Sequence, residues 1–180
     1  ISSLDGASPD VHRQNRINVD FNKAVYNTEY LIKQKRKHKV IYPWVFTRLL
    51  ENTTNVNEVD KFKAYWSDKA DKVLVTKMHN WGGQIIDKRL TNYDLGQSHL
   101  KCYFPFSQLA IQYDGFTRIC CIDTNGTTIT GNLNTTTIDE VWNSNIQRFH
   151  RNNFLNDNRD SLPEICQNCT YPNKEQHIAP

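Results

Sequence analysis

The first 77 residues alternate between short apolar runs and amphipathic segments. Residues 1–4, 41–50 and 72–76 are rich in apolar, mainly β-branched and aromatic, side chains, which predicts three strands. Apolar side chains recur every three or four positions over residues 20–32 and 57–66, which predicts two helices. A strand–helix–strand–helix–strand order is typical of a parallel sheet with right-handed crossovers. We therefore predict an α/β fold.

The pattern changes after residue 77. Residues 78–101 hold three glycines and little periodicity, which predicts a linker. Beyond it, residues 109–113 and 116–122 flank Asp114-Gly115, a pair suited to a tight turn, and so predict a β-hairpin. The predicted organisation is therefore a first domain over residues 1–77, a linker over 78–101 and a second domain over 102–180.

Two predicted helices begin at residues suited to capping. Asp20 precedes the first helix and can accept a hydrogen bond from one of its unpaired N–H groups. Thr137 and Glu140 have the spacing of a capping box and open a helix in the second half. The apolar residues of that helix predict a buried stripe of Ile138, Val141, Trp142, Ile146 and Phe149.

Composition and charge restrict the possible partners. Hydrophobic residues make up 38% of the chain and charged residues 23%, a balance typical of soluble globular proteins. The net charge is only +3. The one dense basic run, residues 33–39, is expected at a solvated helix end. Nucleic acid is therefore not a predicted partner. No run approaches the roughly 18 apolar residues of a membrane span, so no membrane partner is predicted.

The compartment and the extent of the chain are two further expectations. No signal peptide is recognisable, which favours a cytoplasmic location. Clustered cysteines outside secreted proteins are more often metal ligands than disulfides. The chain begins with Ile1 and not Met, so we expect a fragment of a longer protein.

The five cysteines carry the clearest chemical signal. Cys166 and Cys169 form a C-x₂-C pair, in which two sulfurs can face one metal centre across a tight turn. Cys102 and the adjacent Cys120 and Cys121 lie upstream. Adjacent strand residues face opposite sides, so Cys120 and Cys121 are not expected to serve the same centre, and one of the two is expected to be core. Cys121 in the core is one alternative, since a free cysteine behaves as a small hydrophobe. Spacing alone leaves zinc and an iron–sulfur cluster equally open.

The spacing of the cysteines over residues 102–169 resembles that of a known family. Twelve residues separate Cys102 from Gly115 and four separate Gly115 from Cys120, and Leu162-Pro163 leads to the final C-x₂-C pair. This order resembles the SPASM/twitch extension found in the C-terminal half of radical S-adenosylmethionine enzymes. In the same way, Ser3-Leu4-Asp5-Gly6, followed by His12 and Arg16, is similar to the fourth strand and loop of that family's partial (β/α)₆ barrel, which resembles a TIM barrel.

The resemblance implies a set of ligands. Carried over by position, one auxiliary 4Fe-4S cluster would be held by four cysteines: Cys102, Cys120, Cys166 and Cys169. Cys121 has no ligand role in that pattern. The full SPASM pattern has more cysteines than this chain, so the resemblance is to the shorter twitch arrangement with one auxiliary cluster.

The resemblance also implies contacts to S-adenosylmethionine. Ser3 and Arg16 would contact the ribose and carboxylate of the cofactor, and a planar guanidinium suits a carboxylate. Asn52 would reach the same pocket. Each of these two residues has an alternative role. Arg16 could be a surface arginine near a helix start, and Asn52 could be a turn residue.

The family's C-x₃-C-x₂-C loop, which binds the catalytic cluster, does not occur in the 180 residues. The chain alone is therefore expected to be inactive, and the full-length protein is expected to be a radical S-adenosylmethionine enzyme that modifies a peptide, a carbohydrate or another small molecule. The missing N-terminal part or another chain would complete it. The alternative is a stand-alone module that binds zinc or an iron–sulfur cluster for structure or recognition. A nucleic-acid-binding zinc ribbon is disfavoured by the weak net charge.

Overall fold

The computed structural model describes residues 1–90 and 102–171. The chain divides into two compact units, Ile1–Met78 and His79–Pro180. Residues 91–101 of the predicted linker and residues 172–180 of the predicted second domain lie outside the described residues. No helix within the described ranges is long and apolar enough to cross a membrane.

The first unit is built on a three-stranded parallel sheet. The strand order is β1–β2–β3, and in this register Ser3 lies beside Arg48, which lies beside Leu74. Helices occupy both connections, as the alternating pattern predicts, and the α/β class is confirmed. Its elements are β1 Ser2–Ser3, α1 Pro9–Asn15, α2 Phe21–Lys37, β2 Phe46–Glu51, a 3₁₀ turn Val56–Glu58, α3 Val59–Trp66 and β3 Lys72–Lys77.

The core of this unit lies on one face of the sheet. Phe62 and Trp66 of α3 pack there with Leu49 of β2, and all three are almost fully buried. The strand predicted over residues 41–50 is shorter at its start, because β2 begins at Phe46. Pro43 has no N–H to donate to a ladder, so the segment before β2 lies outside the sheet.

Asp20 caps α2 as predicted, since its Oδ1 accepts a hydrogen bond of 2.9 Å from the N–H of Lys23. We expect Asp20→Ala to lower the free energy of unfolding by about 1 kcal/mol, because an N–H of the first turn loses its acceptor. Asp20→Asn keeps an acceptor oxygen and should stay within a few tenths of a kcal/mol of the parent. Urea unfolding of the three proteins measures the difference, and equal losses in both variants would contradict the capping role.

The second unit combines a small antiparallel sheet with short helices. The strands follow the order β4–β5–β6, and the predicted turn at Asp114-Gly115 joins the first two. Both strands of this hairpin are shorter than predicted. Its elements are α4 Phe104–Ser107, β4 Ala110–Ile111, β5 Phe116–Arg118, β6 Ile129–Asn132, α5 Ile138–Trp142, α6 Asn145–Leu155, a 3₁₀ turn Arg159–Ser161 and α7 Glu164–Gln167.

The helix predicted from the capping box is two helices. Thr137 and Glu140 form the capping box, but α5 ends at Trp142 and Ser144 caps α6 anew through the N–H of Gln147. The predicted stripe is therefore wrong at three of its five positions, on both sides of this break. Val141 is buried, whereas Ile138, Ile146 and Phe149 are each about half exposed or more, at 60%, 48% and 53%.

Candidate metal centre

Four cysteines from three segments line one cavity in the second unit. Cys102 lies just before α4, Cys120 follows β5, and Cys166 and Cys169 come from α7 and the turn after it. These are the four cysteines that the resemblance assigns as ligands. The rest of the lining is apolar and aromatic and consists of Phe104, Ile122, Phe154, Ile165 and Tyr171.

Cys120 and Cys121 differ in burial, because the chain leaves β5 at Arg118 and turns at Cys121. Cys120 is buried in the core cluster and lines the cavity. Cys121 is exposed, and the side chain of Gln108 donates to its sulfur over 3.6 Å. One of the two cysteines is therefore in the core, as expected, and it is Cys120. The alternative that Cys121 points into the core is wrong, since Cys121 begins an exposed turn.

Burial dominates the electrostatics of the thiols. It raises the pKa of Cys120 to about 12, although the backbone N–H groups of Ile122 and Asp123 act to lower it. Burial also raises the pKa of Cys166, and the neighbouring Cys120 and Cys102 add to the effect. A metal centre binds thiolates and not thiols, so these sulfurs must lose their protons when the centre forms.

Backbone N–H groups are already aimed at two of the sulfurs. The N–H of Tyr171 donates to Cys169 Sγ over 3.4 Å. Burial raises the pKa of the Cys169 thiol, and the N–H groups of Tyr171 and Gly82 act to lower it. Hydrogen bonds to the sulfurs are one of the features that stabilise and tune iron–sulfur centres. The donor set, its N–H partners and the apolar lining therefore fit a thiolate-bound cluster.

The C-x₂-C turn has its own local support. The N–H groups of Cys166 and Gln167 donate to Pro163 O over 2.8 and 3.1 Å, which starts α7. The N–H of Cys169 donates to Cys166 O over 3.4 Å, so the two sulfurs are carried on one short turn. Pro163 suits this position because a helix can begin after it without losing an N–H bond.

Asn80 clamps this turn from a distant part of the chain. Its Nδ2 donates to Asn168 O over 2.8 Å. Its Oδ1 accepts from the backbone N–H and the hydroxyl of Thr170, over 3.1 and 2.9 Å, and from Gly82 N over 3.1 Å. No local pattern in the sequence points to Asn80, because Asn168 and Thr170 lie 88 and 90 residues away along the chain.

We expect Asn80→Ala to lower the free energy of unfolding by about 2–3 kcal/mol, since it removes four hydrogen bonds that are each worth about 0.5–1.5 kcal/mol. The C-x₂-C turn should loosen and the chain should hold less metal after purification. Asn168→Ala is the matched control, because Asn168 contacts Asn80 only through its backbone carbonyl. Chemical unfolding and metal analysis test both variants, and equal effects would contradict the clamp.

Two aspartates hold the turns that follow them. The carboxylate of Asp123 is buried and accepts hydrogen bonds from the N–H and hydroxyl groups of Thr127 and Thr128, over 2.7–3.1 Å. Asp114 Oδ1 accepts from Phe116 N over 3.1 Å. Asp123 holds the loop directly after Cys120 and so supports the position of that cysteine.

The three residues predicted to contact S-adenosylmethionine lie in the first unit. Ser3 is in β1 and is half-buried. The guanidinium of Arg16 donates through Nε and Nη2 to Asp5 Oδ2, each over 2.7 Å. The side chain of Asn52 is buried and donates to Asn15 Oδ1 and Leu50 O, over 2.8 and 3.1 Å.

These contacts define local roles for two of the three. Asp5 Oδ1 accepts from Leu50 N over 2.7 Å, so the Asp5–Arg16 pair ties the loop after β1 to β2. Asn52 Oδ1 accepts from the N–H and hydroxyl of Thr54, which is the bonding of a turn residue. The assignment of Ser3, Arg16 and Asn52 to the cofactor stays a prediction.

Within residues 1–90 and 102–171, no three His, Cys, Asp or Glu side chains converge on a position for one metal ion.

Comparisons with known proteins bear on the second unit. Residues 102–170 match the model of the SPASM family, described as an iron–sulfur cluster-binding domain. Comparison with curated proteins gives no match. Among solved structures, the chain is similar to BtrN in complex with AdoMet and 2-DOIA, at 16% sequence identity and a TM-score of 0.44. The similarity covers 80% of this chain and 66% of the BtrN chain.

The matched residues begin at Cys102 and end just after Cys169, so they include all four cysteines that line the cavity. The family model rests on sequence, whereas the shared cavity is a property of the fold, and both single out the same segment. The resemblance drawn from the cysteine spacing is thereby confirmed, and residues 102–170 form a SPASM iron–sulfur cluster-binding domain.

Proposed function

We propose that this chain is the C-terminal portion of a radical S-adenosylmethionine enzyme and holds one auxiliary 4Fe-4S cluster on Cys102, Cys120, Cys166 and Cys169. The observation that carries the proposal is the single cavity lined by four cysteines in the segment that matches the cluster-binding family. Four thiolates are the usual ligands of such a cube. Cys121 is exposed and stays outside the ligand set.

The proposal assigns the first unit to the barrel of the longer enzyme. Three parallel strands in sequential order, joined by helices, are the repeating unit of such a barrel. S-adenosylmethionine would supply the radical chemistry when bound in the full-length protein, with Ser3 at the edge of this sheet as a predicted contact. The substrate would be a peptide, a carbohydrate or another small molecule. A thiolate-held cluster suits a reducing compartment, which favours the cytoplasm.

The test is the metal content of the chain after anaerobic purification. We expect about four irons and four sulfides per chain with little zinc, because one cube binds four thiolates. About one zinc with no sulfide would contradict the proposal and indicate a structural Cys₄ site. Electron paramagnetic resonance of the reduced protein distinguishes a cube from a smaller cluster.

A further inference from the structure

The outer side of helix α2 carries two tyrosines among three lysines. Thr28 and Ile32 are the buried residues of this helix, so they mark the side that packs on the sheet. Each residue of an α-helix is rotated by about 100° from the one before it, which fixes the residues of the opposite side. Two tyrosines and three lysines lie within about 60° of the outward direction and define the α2 face: Lys23, Tyr26, Tyr30, Lys33 and Lys37.

The two tyrosine rings are stacked and open to solvent. Tyr26 is 64% exposed and Tyr30 is 53% exposed. Their ring centroids are 6.2 Å apart and their planes are inclined by 24°, because residues four apart are neighbours on a helix surface. Exposed tyrosines offer a rigid apolar area with a hydroxyl that tolerates water, and they are enriched where proteins contact one another.

The three lysines of the α2 face are exposed and have no salt bridge in the part of the chain that the structure describes. The one acidic residue of the helix, Glu29, already accepts a hydrogen bond from Lys69 Nζ over 2.6 Å. The capping residue Asp20 accepts a hydrogen bond from the backbone N–H of Lys23. The α2 face is therefore positively charged.

Two other cations of α2 show the contrast. Lys35 Nζ lies 2.6 Å from Asp71 Oδ2. The guanidinium of Arg36 donates through Nη2 to the backbone oxygens of Asp68 and Lys69, over 2.8 and 2.9 Å. These two cations hold α2 to the chain around the end of α3. The lysines of the α2 face take no part in such contacts and are available to a partner.

The exposure of the α2 face does not depend on what continues the sheet. Helix α3 lies along one flank of α2, where Lys69 bonds Glu29. Helices of one layer pack side by side on a sheet, so a further helix of this layer would lie along the other flank. A further strand would pair beside the sheet, under the buried side of α2. The outward direction is covered by neither.

We propose that the α2 face docks a partner protein through an acidic surface of that partner. The tyrosine pair forms the centre of the contact and packs against an apolar side chain, and the lysines around it face carboxylates. An apolar centre with a charged rim is the usual arrangement of a protein interface, and complementary charge selects the partner. The inference stands apart from the proposed function, since all five residues lie in the first unit.

The dimensions and composition of the face favour a protein over other anions. It extends about 21 Å from Lys23 to Lys37, which is longer than one small anion can bridge. Nucleic acid binding uses a longer row of cations than three. A helix that lies in a membrane interface buries aliphatic or large apolar side chains, and the five residues of the α2 face include none.

The test is binding of a synthetic acidic peptide to the whole chain, followed by fluorescence anisotropy. The probe is a helical peptide of about 20 residues, long enough to span the face, with a stripe of leucines flanked by glutamates. We expect a Kd of about 1 mM or lower at low salt. The same peptide with glutamines in place of the glutamates should bind more weakly by at least about fivefold, because the ion pairs are lost.

Tyr26→Ala combined with Tyr30→Ala should weaken binding of the acidic peptide by at least about tenfold, because the apolar centre of the contact is removed. Tyr26→Phe combined with Tyr30→Phe keeps both rings and should stay within about threefold of the parent. Circular dichroism reports whether each protein folds. The phenylalanine variant separates loss of the rings from loss of the hydroxyl groups.

Lys33→Gln combined with Lys37→Gln should weaken binding of the acidic peptide by at least about threefold. Lys72→Gln combined with Arg148→Gln is the matched control, because it removes the same charge from two exposed positions outside the face. Its Kd should equal that of the parent. The lysine variant carries the test if the tyrosine-to-alanine variant does not fold.

A Kd weaker than about 10 mM for the acidic peptide would overturn the proposal, since it is too weak for a specific contact. Equal Kd values in the parent and in the folded alanine and glutamine variants of the face would also overturn it. Single-stranded DNA or phosphatidylserine vesicles that bind more tightly than the peptide, with loss in the same variants, would assign the face to another class of partner and overturn the protein partner.

Discussion

Cys166→Ala and Cys169→Ala should each remove the iron–sulfur cluster, whereas Cys121→Ala should retain it. Each of the first two changes deletes one of four thiolates around a shared cavity, and no other cysteine of the chain lines that cavity. Binding of a structural metal centre is folding free energy for a small domain, so the second unit should also lose most of its cooperative unfolding. Iron and sulfide analysis and the visible absorption of the purified proteins measure the loss.

Cys121 provides the control because it matches the ligands in chemistry but not in position. It directly follows Cys120, yet it is exposed and contacts Gln108. Removal of an exposed side chain of this size should change stability by no more than about 0.5 kcal/mol. Full loss of iron in Cys121→Ala, or full retention in Cys166→Ala, would contradict the ligand assignment.

The sequence predicted those parts of the molecule that depend on local pattern. Apolar periodicity gave the alternation of strands and helices in the first unit, and Asp20 and Thr137 marked helix starts because a cap acts within one turn. The ligand set came from spacing and resemblance, which need no knowledge of the fold. The break between α5 and α6 was missed because the apolar spacing from Val141 and Trp142 to Ile146 and Phe149 runs on across Ser144.

Contacts between residues far apart in the chain could not be predicted from the sequence. Asn80 is one of many asparagines in the chain, and its role appears only when residues 168–170 return to it. Such features need the three-dimensional arrangement, because the pairing partner of a strand is not encoded in the strand itself.

Gly82→Ala should unfold the second unit or lower its free energy of unfolding by about 3–5 kcal/mol, and the chain should then fail to hold its cluster. A Cβ at this position would lie 2.1 Å from Ile165 Cγ1 and 2.6 Å from Ile165 O. The carbonyl belongs to the backbone immediately before Cys166, so it cannot move away without moving a ligand. The φ of +67° adds strain for any residue other than glycine.

Gly83→Ala separates the two causes. Gly83 has a φ of +83°, so an alanine there has a similar backbone strain of about 1 kcal/mol. A Cβ at this position would contact only the side chain of Asn168, with the nearest atom, Cβ, at 3.2 Å. The expected result is a folded, cluster-bearing Gly83→Ala protein beside a cluster-free Gly82→Ala protein, measured by thermal unfolding and iron content. Equal losses would mean that backbone strain alone decides stability here. A large loss in Gly82→Ala alone would mean that the close approach of residue 82 to Ile165 fixes the position of Cys166.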